Sequence, residues 1–168
     1  MLFQVLGPLR LVERDHEIPL RSQRRRALLA ALLVHQGEAV PLGSLVEALW
    51  GGGLPESARQ SLQSHVSRLR STLRSADAPQ RIVTRGVGYA LELTPDDEVD
   101  ATQFEQELEA ARRRLDDSPS EALRLLETAL ERWRGPAFAD VPDAELVRIE
   151  RVRLEELRQQ ARDARVEA

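Results

Sequence analysis

Residues 55–93, PESARQSLQSHVSRLRSTLRSADAPQRIVTRGVGYALEL, constrain this chain more than any other stretch, because a helix with one apolar edge runs directly into a short hairpin. Ala58, Leu62, Val66, Leu69 and Leu73 recur at spacings of three and four, so they form one stripe that must face a core. The opposite side carries Gln60, Ser64, Ser67, Arg68 and Ser71, flanked by Gln63, Arg70 and Arg74, and no carboxylate follows Glu56 on the helix. A solvated helix usually mixes both signs of charge. The omission of acid is therefore the informative part.

The hairpin follows from a β-branched run at Arg81–Thr84, a turn at Arg85-Gly86-Val87-Gly88 and an alternating strand from Tyr89 to Leu93. Its tip is expected to carry a lone arginine, Arg85, suited to a minor groove or a phosphate; alone it reads more readily as a solvated turn cation. Beside an acid-free helix that offers amides, hydroxyls and guanidinium groups, the groove reading gains weight, since base edges need donors and phosphates exclude anions.

Charge divides the chain in two. Residues 1–94 hold 12 Arg and 8 acids, net +4, whereas residues 95–168 hold 12 Arg and 20 acids, net −8. A basic first half and an acidic second half suggest that one segment meets nucleic acid and the other does not. Every basic residue apart from the three His is Arg, so every cation is a fork able to grip phosphate or guanine with two bonds. With no Cys, thiolate chemistry and disulfides are excluded, in keeping with a cytoplasmic protein. The uncharged run Ala27–Gly37 is far short of the roughly 20 residues that cross a bilayer, and no membrane partner is expected.

Ahead of the hairpin unit, Phe3–Leu6, Leu9–Glu13 and His16–Leu20 read as three antiparallel strands. Ser22 can cap a helix over Gln23–His35 whose Leu28, Leu29, Leu32 and Leu33 face the core. Arg24, Arg25 and Arg26 in its first turn oppose the helix dipole; they suit nearby DNA phosphates or form a solvated cluster. A short second helix follows Pro41, and Gly51-Gly52-Gly53-Leu54-Pro55 connects it to the basic helix.

Thr94–Val99, TPDDEV, reads as a solvated linker over 95–99 rather than a metal site, because no His accompanies the acids. Asp100 with Gln103, and Ser118 with Glu121, have capping-box spacing. Three helices are expected beyond: one along Phe104, Leu108, Ala111 and Leu115, one along Ala122, Leu126, Ala129 and Trp133, and a last one from Asp143 or Ala144 to the final residues. Helix pairs of this kind build tetratricopeptide-like arrays, of which these would be the first part. His16, His35 and His65 stand in no catalytic spacing, and neither Gly86-Val87-Gly88 nor the triple glycine completes a nucleotide-binding motif. No enzyme activity, metal or cofactor is expected.

VSRLRSTL followed by IVTRGVGYALEL resembles the recognition helix and wing of OmpR/PhoB-type winged-helix domains. LVEALWGGGLPESARQSLQSHVSRLR, with the opening strands, resembles more narrowly the Streptomyces antibiotic regulatory protein family, and ERWRGPAFADVPDAELVRIERVRLEELRQQA is similar to the start of its bacterial transcriptional activator domain. The resemblance implies an α+β winged helix-turn-helix over 1–94 with an N-terminal antiparallel sheet and a hairpin wing, then tetratricopeptide-like helices over 100–168. It implies that Gln60, Gln63, Ser64, Ser67 and Arg68 meet the major groove of double-stranded DNA, Arg68 most directly, and that His65, Arg70 and Arg74 lean on phosphates. Thr84, Arg85 and Tyr89 would form the wing contact, and residues 51–55 would touch RNA polymerase or serve as a plain connector. It further implies an activator of a biosynthetic gene cluster, two copies of which bind direct repeats; a repressor or a protein-binding helical scaffold is the alternative.

Overall fold

The computed structural model describes residues 1–52, 55–74 and 79–168. It opens on a sheet of β1 (Leu2–Gln4), β2 (Arg10–Glu13) and β3 (His16–Ile18), paired antiparallel with Phe3 opposite Leu11 and Leu11 opposite Ile18. The strands are shorter than the apolar runs that mark them. Arg14 and Asp15 turn β2 into β3 with φ of 49° and 63°, the mirror-type turn whose twist suits a two-residue hairpin.

The helix α1 (Gln23–Val34) starts where expected, with the Ser22 hydroxyl accepting from the Arg25 amide at 3.3 Å. Its seven residues from Ala27 to Leu33 are all buried, not only the four leucines of one face. The reason lies outside the local sequence, since α2 (Leu42–Trp50) and α3 (Ala58–Thr72) cover part of α1 and α6 (Glu145–Glu167) covers another part. Ala58, Leu62, Val66, Leu69 and Leu73 of α3 and its C-terminal end all face this core.

A second sheet joins β4 (Val40–Pro41), β6 (Gly88–Leu91) and β5 (Ile82–Arg85) in that order. The two-residue β4 has no signal in the sequence. It replaces the missing helix cap at Pro41, because the Leu42 amide donates to the Val87 carbonyl at 3.1 Å. Gly88 permits this approach, as a Cβ there would lie 2.0 Å from the Val40 carbonyl oxygen.

The segment over 95–99 keeps Pro95, Asp96 and Glu98 exposed but is tied down rather than left as a free linker. Glu98–Val99 forms β7, parallel to β1, and the Asp97 side chain is fully enclosed, bonded to Arg81 Nε and Nη2 at 2.8 and 2.7 Å and to the N-terminal ammonium at 3.0 Å. Burial alone would raise the Asp97 carboxyl, but hydrogen bonds from Arg81, Thr94 and the terminal ammonium hold it well below the usual carboxylate range. Arg81 also donates to the Leu73 carbonyl at 2.5 Å, so this segment pins the end of α3.

The remaining helices are α4 (Asp100–Arg112), α5 (Pro119–Glu131) and α6. Neither capping box forms its side-chain cap. Asp100 instead turns toward the first sheet and accepts from the Val5 and Leu6 amides at 2.7 and 3.2 Å, so its carboxylate serves another element. The 134–139 loop continues this joint, with the Arg134, Phe138 and Ala139 amides donating to the carbonyls of Leu6, Val5 and Gly7. Gly7 at φ 151° lies so close that a Cβ would stand 2.9 Å from Arg134 Cβ. Asp140 completes it, accepting from the Leu9 amide at 2.7 Å and from Arg26 Nη1 at 2.6 Å. One apolar core runs through both halves.

Candidate nucleic-acid interface

With its apolar stripe buried, α3 presents Arg59, Gln60, Gln63, Ser64, Ser67, Arg68 and Ser71 to the outside, followed by Arg74. Arg59 belongs to this exposed row and was not singled out by the sequence reading, although its place one turn before Gln63 is a sufficient signal. Among the described residues, Arg59, Arg68 and Arg74 have no carboxylate partner. Among the described residues nothing anionic competes for these guanidinium groups.

His65 sits on the same helix, half-buried, its ring centroid 6.0 Å from that of Trp50 at the end of α2. Its Nδ1 is buried without a partner among the described residues. Burial first, then the charges of Arg24, Arg25 and Arg68, push its pKa below the ordinary value, which favours the neutral ring. The first turn of α1 stands beside α3, since α1 packs on α3. Arg24 caps the row, its guanidinium 5.5 Å from the Trp50 ring centroid.

The three arginines of that turn do not act alike. Arg24 is exposed and Arg25 half-buried on the basic side, whereas Arg26 is turned into the joint, bonded to Asp140 and to the Leu9 carbonyl at 2.8 Å. Arg26 is therefore removed from the candidate phosphate contacts. A carboxylate 114 residues away took it, which no local pattern could announce.

The wing also departs from expectation. Arg85 ends β5 rather than capping the tip; it donates to the Gly37 carbonyl at 2.7 Å and pairs with Glu92. The turn is Gly86-Val87, with Gly86 at φ 57° and Val87 79% exposed. Thr84 is exposed, but Tyr89 is only 8% exposed and packs inward. Arg70 does not reach outward either: Nε donates to the Ile82 carbonyl at 2.9 Å, Nη2 to Thr84 Oγ1 at 3.3 Å, and the guanidinium lies 5.5 Å from the Tyr89 ring centroid. Of the connector, Gly51, Gly52 and Pro55 border a cleft with Leu42, Val46 and Arg59, while Gly53 and Leu54 lie outside the described residues. No helix among the described residues is long and apolar enough to cross a membrane.

A buried-stripe helix with a basic outer face, braced against a three-stranded wing and carrying a helical module behind it, defines the winged-helix transcriptional regulators. Residues 15–91 match the family described as transcriptional regulatory protein, C terminal, and residues 99–168 match the bacterial transcriptional activator domain. The chain is 35% identical over 142 residues to the transcriptional regulatory protein MoaR1 of Mycobacterium tuberculosis, covering 83% of this chain and 46% of that protein. It is 36% identical over 140 residues to the transcriptional regulator RedD of Streptomyces coelicolor, covering 81% and 40%. A solved structure of Mycobacterium tuberculosis EmbR, in complex with a low-affinity phosphopeptide, superposes with a TM-score of 0.89 at 31% identity over 97% of this chain and 44% of that one. The chain thus belongs to the Streptomyces antibiotic regulatory protein family. It spans less than half the length of these relatives.

Proposed function

We propose that this chain is a sequence-specific DNA-binding transcriptional activator of the cytoplasm, laying α3 in the major groove with Thr84 and the wing turn alongside. The observation that carries this reading is the set of exposed arginines Arg24, Arg68 and Arg74, unopposed by any described carboxylate, with exposed Gln60, Gln63, Ser64 and Ser67 on α3. Arg68 offers a bidentate fork to guanine, and the amides and hydroxyls offer paired donors and acceptors to other base edges. Arg24 and Arg74 neutralise phosphates. Two copies bind head-to-tail on direct repeats about one helical turn apart, because that spacing sets both recognition helices on one face of the duplex. Residues 51–55 touch RNA polymerase, as the family resemblance suggests, at promoters of a biosynthetic gene cluster.

The test is binding to duplexes selected from a random pool, measured across salt. Affinity should fall with a log–log slope of roughly −4 to −7 per protomer if about five to seven phosphates are neutralised. A flat response removes the DNA reading and leaves the helical scaffold. For activation, changing Leu54 to Asp should hold operator affinity within about 0.5 kcal/mol yet lower transcription in a purified system. Parallel loss of both would make the loop a support of the DNA-binding fold.

A further inference from the structure

The wing is the β5–β6 ribbon of the three-stranded second sheet; its ladder bonds stop short of α3, and beyond the Arg81 bond to the Leu73 carbonyl at its base a side chain must bridge the two. Arg70 spans that gap. From the last full turn of α3 its Nε reaches the Ile82 carbonyl at the start of β5 and its Nη2 reaches Thr84 Oγ1. Its guanidinium also faces the ring of Tyr89, the cross-strand partner of Thr84. One planar group therefore holds a backbone oxygen, an exposed hydroxyl and an aromatic face belonging to both strands.

On its far side the ribbon is tied to the rest of the fold by β4, which pairs with β6, by the Gly37 amide on the Leu91 carbonyl, by Arg85 on the Gly37 carbonyl and by the Leu42 amide on the Val87 carbonyl, while Arg85 and Glu92 pair across the ribbon itself. Those tie the wing to the turn after α1 and to the start of α2. Among the described residues, Arg70 is the side chain of the α3 outer rows that hydrogen-bonds the wing. Arg59, Arg68 and Arg74 have no such partner among the described residues.

We infer that Arg70 is a positioning residue that sets the wing against the recognition helix, so that it governs which spacing of major-groove and flanking contacts the protein accepts rather than contributing a phosphate contact. This rests on the DNA-binding reading above. The geometry needs a fork: a lysine ammonium could satisfy one oxygen, but it lacks the planar group that meets two oxygens and a ring face together. A phosphate contact makes the opposite demand, since any cation at the same reach neutralises it.

Arg70→Ala and Arg70→Lys, compared with the unaltered chain on a duplex that the latter selects from a random pool, separate the two roles. As a positioning residue, both variants should bind roughly tenfold more weakly, the scale of one charged hydrogen bond. Their salt slopes should stay unchanged, and base preferences at the flank under the wing should flatten while those under α3 persist. A phosphate contact would instead leave Arg70→Lys near full affinity and lower the Arg70→Ala slope by about 0.9; that result overturns the inference. Thermal unfolding accompanies each variant, and if Arg70→Ala unfolds at the assay temperature, Arg70→Gln carries the test. It is neutral and can hold only one of the two oxygens, so the flank preference should flatten with the salt slope unchanged; a slope lower by about 0.9 also overturns the inference. Absence of DNA binding by the unaltered chain would end the functional reading itself, before Arg70 enters.

Discussion

The same residue type does opposite work in two regions. At the joint between the halves, Arg26 and Arg81 are each bonded to a carboxylate and a backbone carbonyl, to Asp140 and Leu9 for the first and to Asp97 and Leu73 for the second. On α3, Arg59, Arg68 and Arg74 face outward with no carboxylate partner among the described residues. Chain composition, uniform in its use of arginine, cannot distinguish them. The difference is set by where the acids lie: the second half supplies Asp97, Asp100 and Asp140 to the joint and none to the outer face of α3. An arginine is a structural tie where a carboxylate reaches it, and remains a candidate for an external anion where none does.

The largest test of that contrast is Asp97→Ala, which removes the carboxylate bonded to the buried Arg81 guanidinium. It should cost about 3 to 5 kcal/mol in denaturant unfolding, the scale of breaking a buried ion pair. The same carboxylate predicts acid sensitivity. Its folded pKa lies below the unfolded value of about 3.9, so its contribution is full above that pH and declines as pH falls through it toward the folded value. The Asp97→Asn variant should lose that portion of the pH dependence, and an unchanged acid-unfolding profile would show that Asp97 is not the tie.

Arg68→Ala probes the other region. DNA affinity should fall by about 1 to 3 kcal/mol, with relaxed preference at one base pair and an unaltered melting temperature. If the melting temperature falls instead and operator ranking holds, the outer face is structural after all. Next in size is the paired comparison within one helical turn. Arg24→Ala should lower the salt slope of binding by about 0.9 and spare stability. Arg26→Ala should cost about 1 to 3 kcal/mol of stability, through the stranded Asp140 and the lost Leu9 bond, and leave the slope alone. Exchange of these outcomes would break the comparison at its closest point. The smallest effect belongs to Val87→Ser: the side chain is exposed and only the Val87 carbonyl engages α2, so stability should move by less than about 0.5 kcal/mol in a thermal melt.

Much of this architecture was legible from local pattern. The five-residue stripe of α3 is a helical periodicity, and it names the buried and outer faces without any tertiary information. Ser22 as a cap, and Gly86 in the wing turn, follow from short-range backbone demands of the same kind, whereas Gly88 answers the approach of β4. The strands β4 and β7 were not legible, because two residues carry no periodicity and exist as strands only through their partners. Asp100 misled for a related reason. Capping-box spacing is a local preference, and two amides brought alongside by the first sheet draw the carboxylate away from the helix start.

The sequence by itself determined which face of α3 meets the core, that this helix is followed by a hairpin, and that the first half is basic and the second acidic, since each depends on residues within a few turns of one another. Only the tertiary structure decided what each arginine does. Arg26, Arg70, Arg81 and Arg85 are engaged by groups that chain folding delivers from elsewhere, and the neutral ring of His65 is favoured by burial against Trp50 beside arginines of α1. A guanidinium carries its charge everywhere in the chain, but its partner is a matter of distance in space, and distance in space is what folding alone assigns.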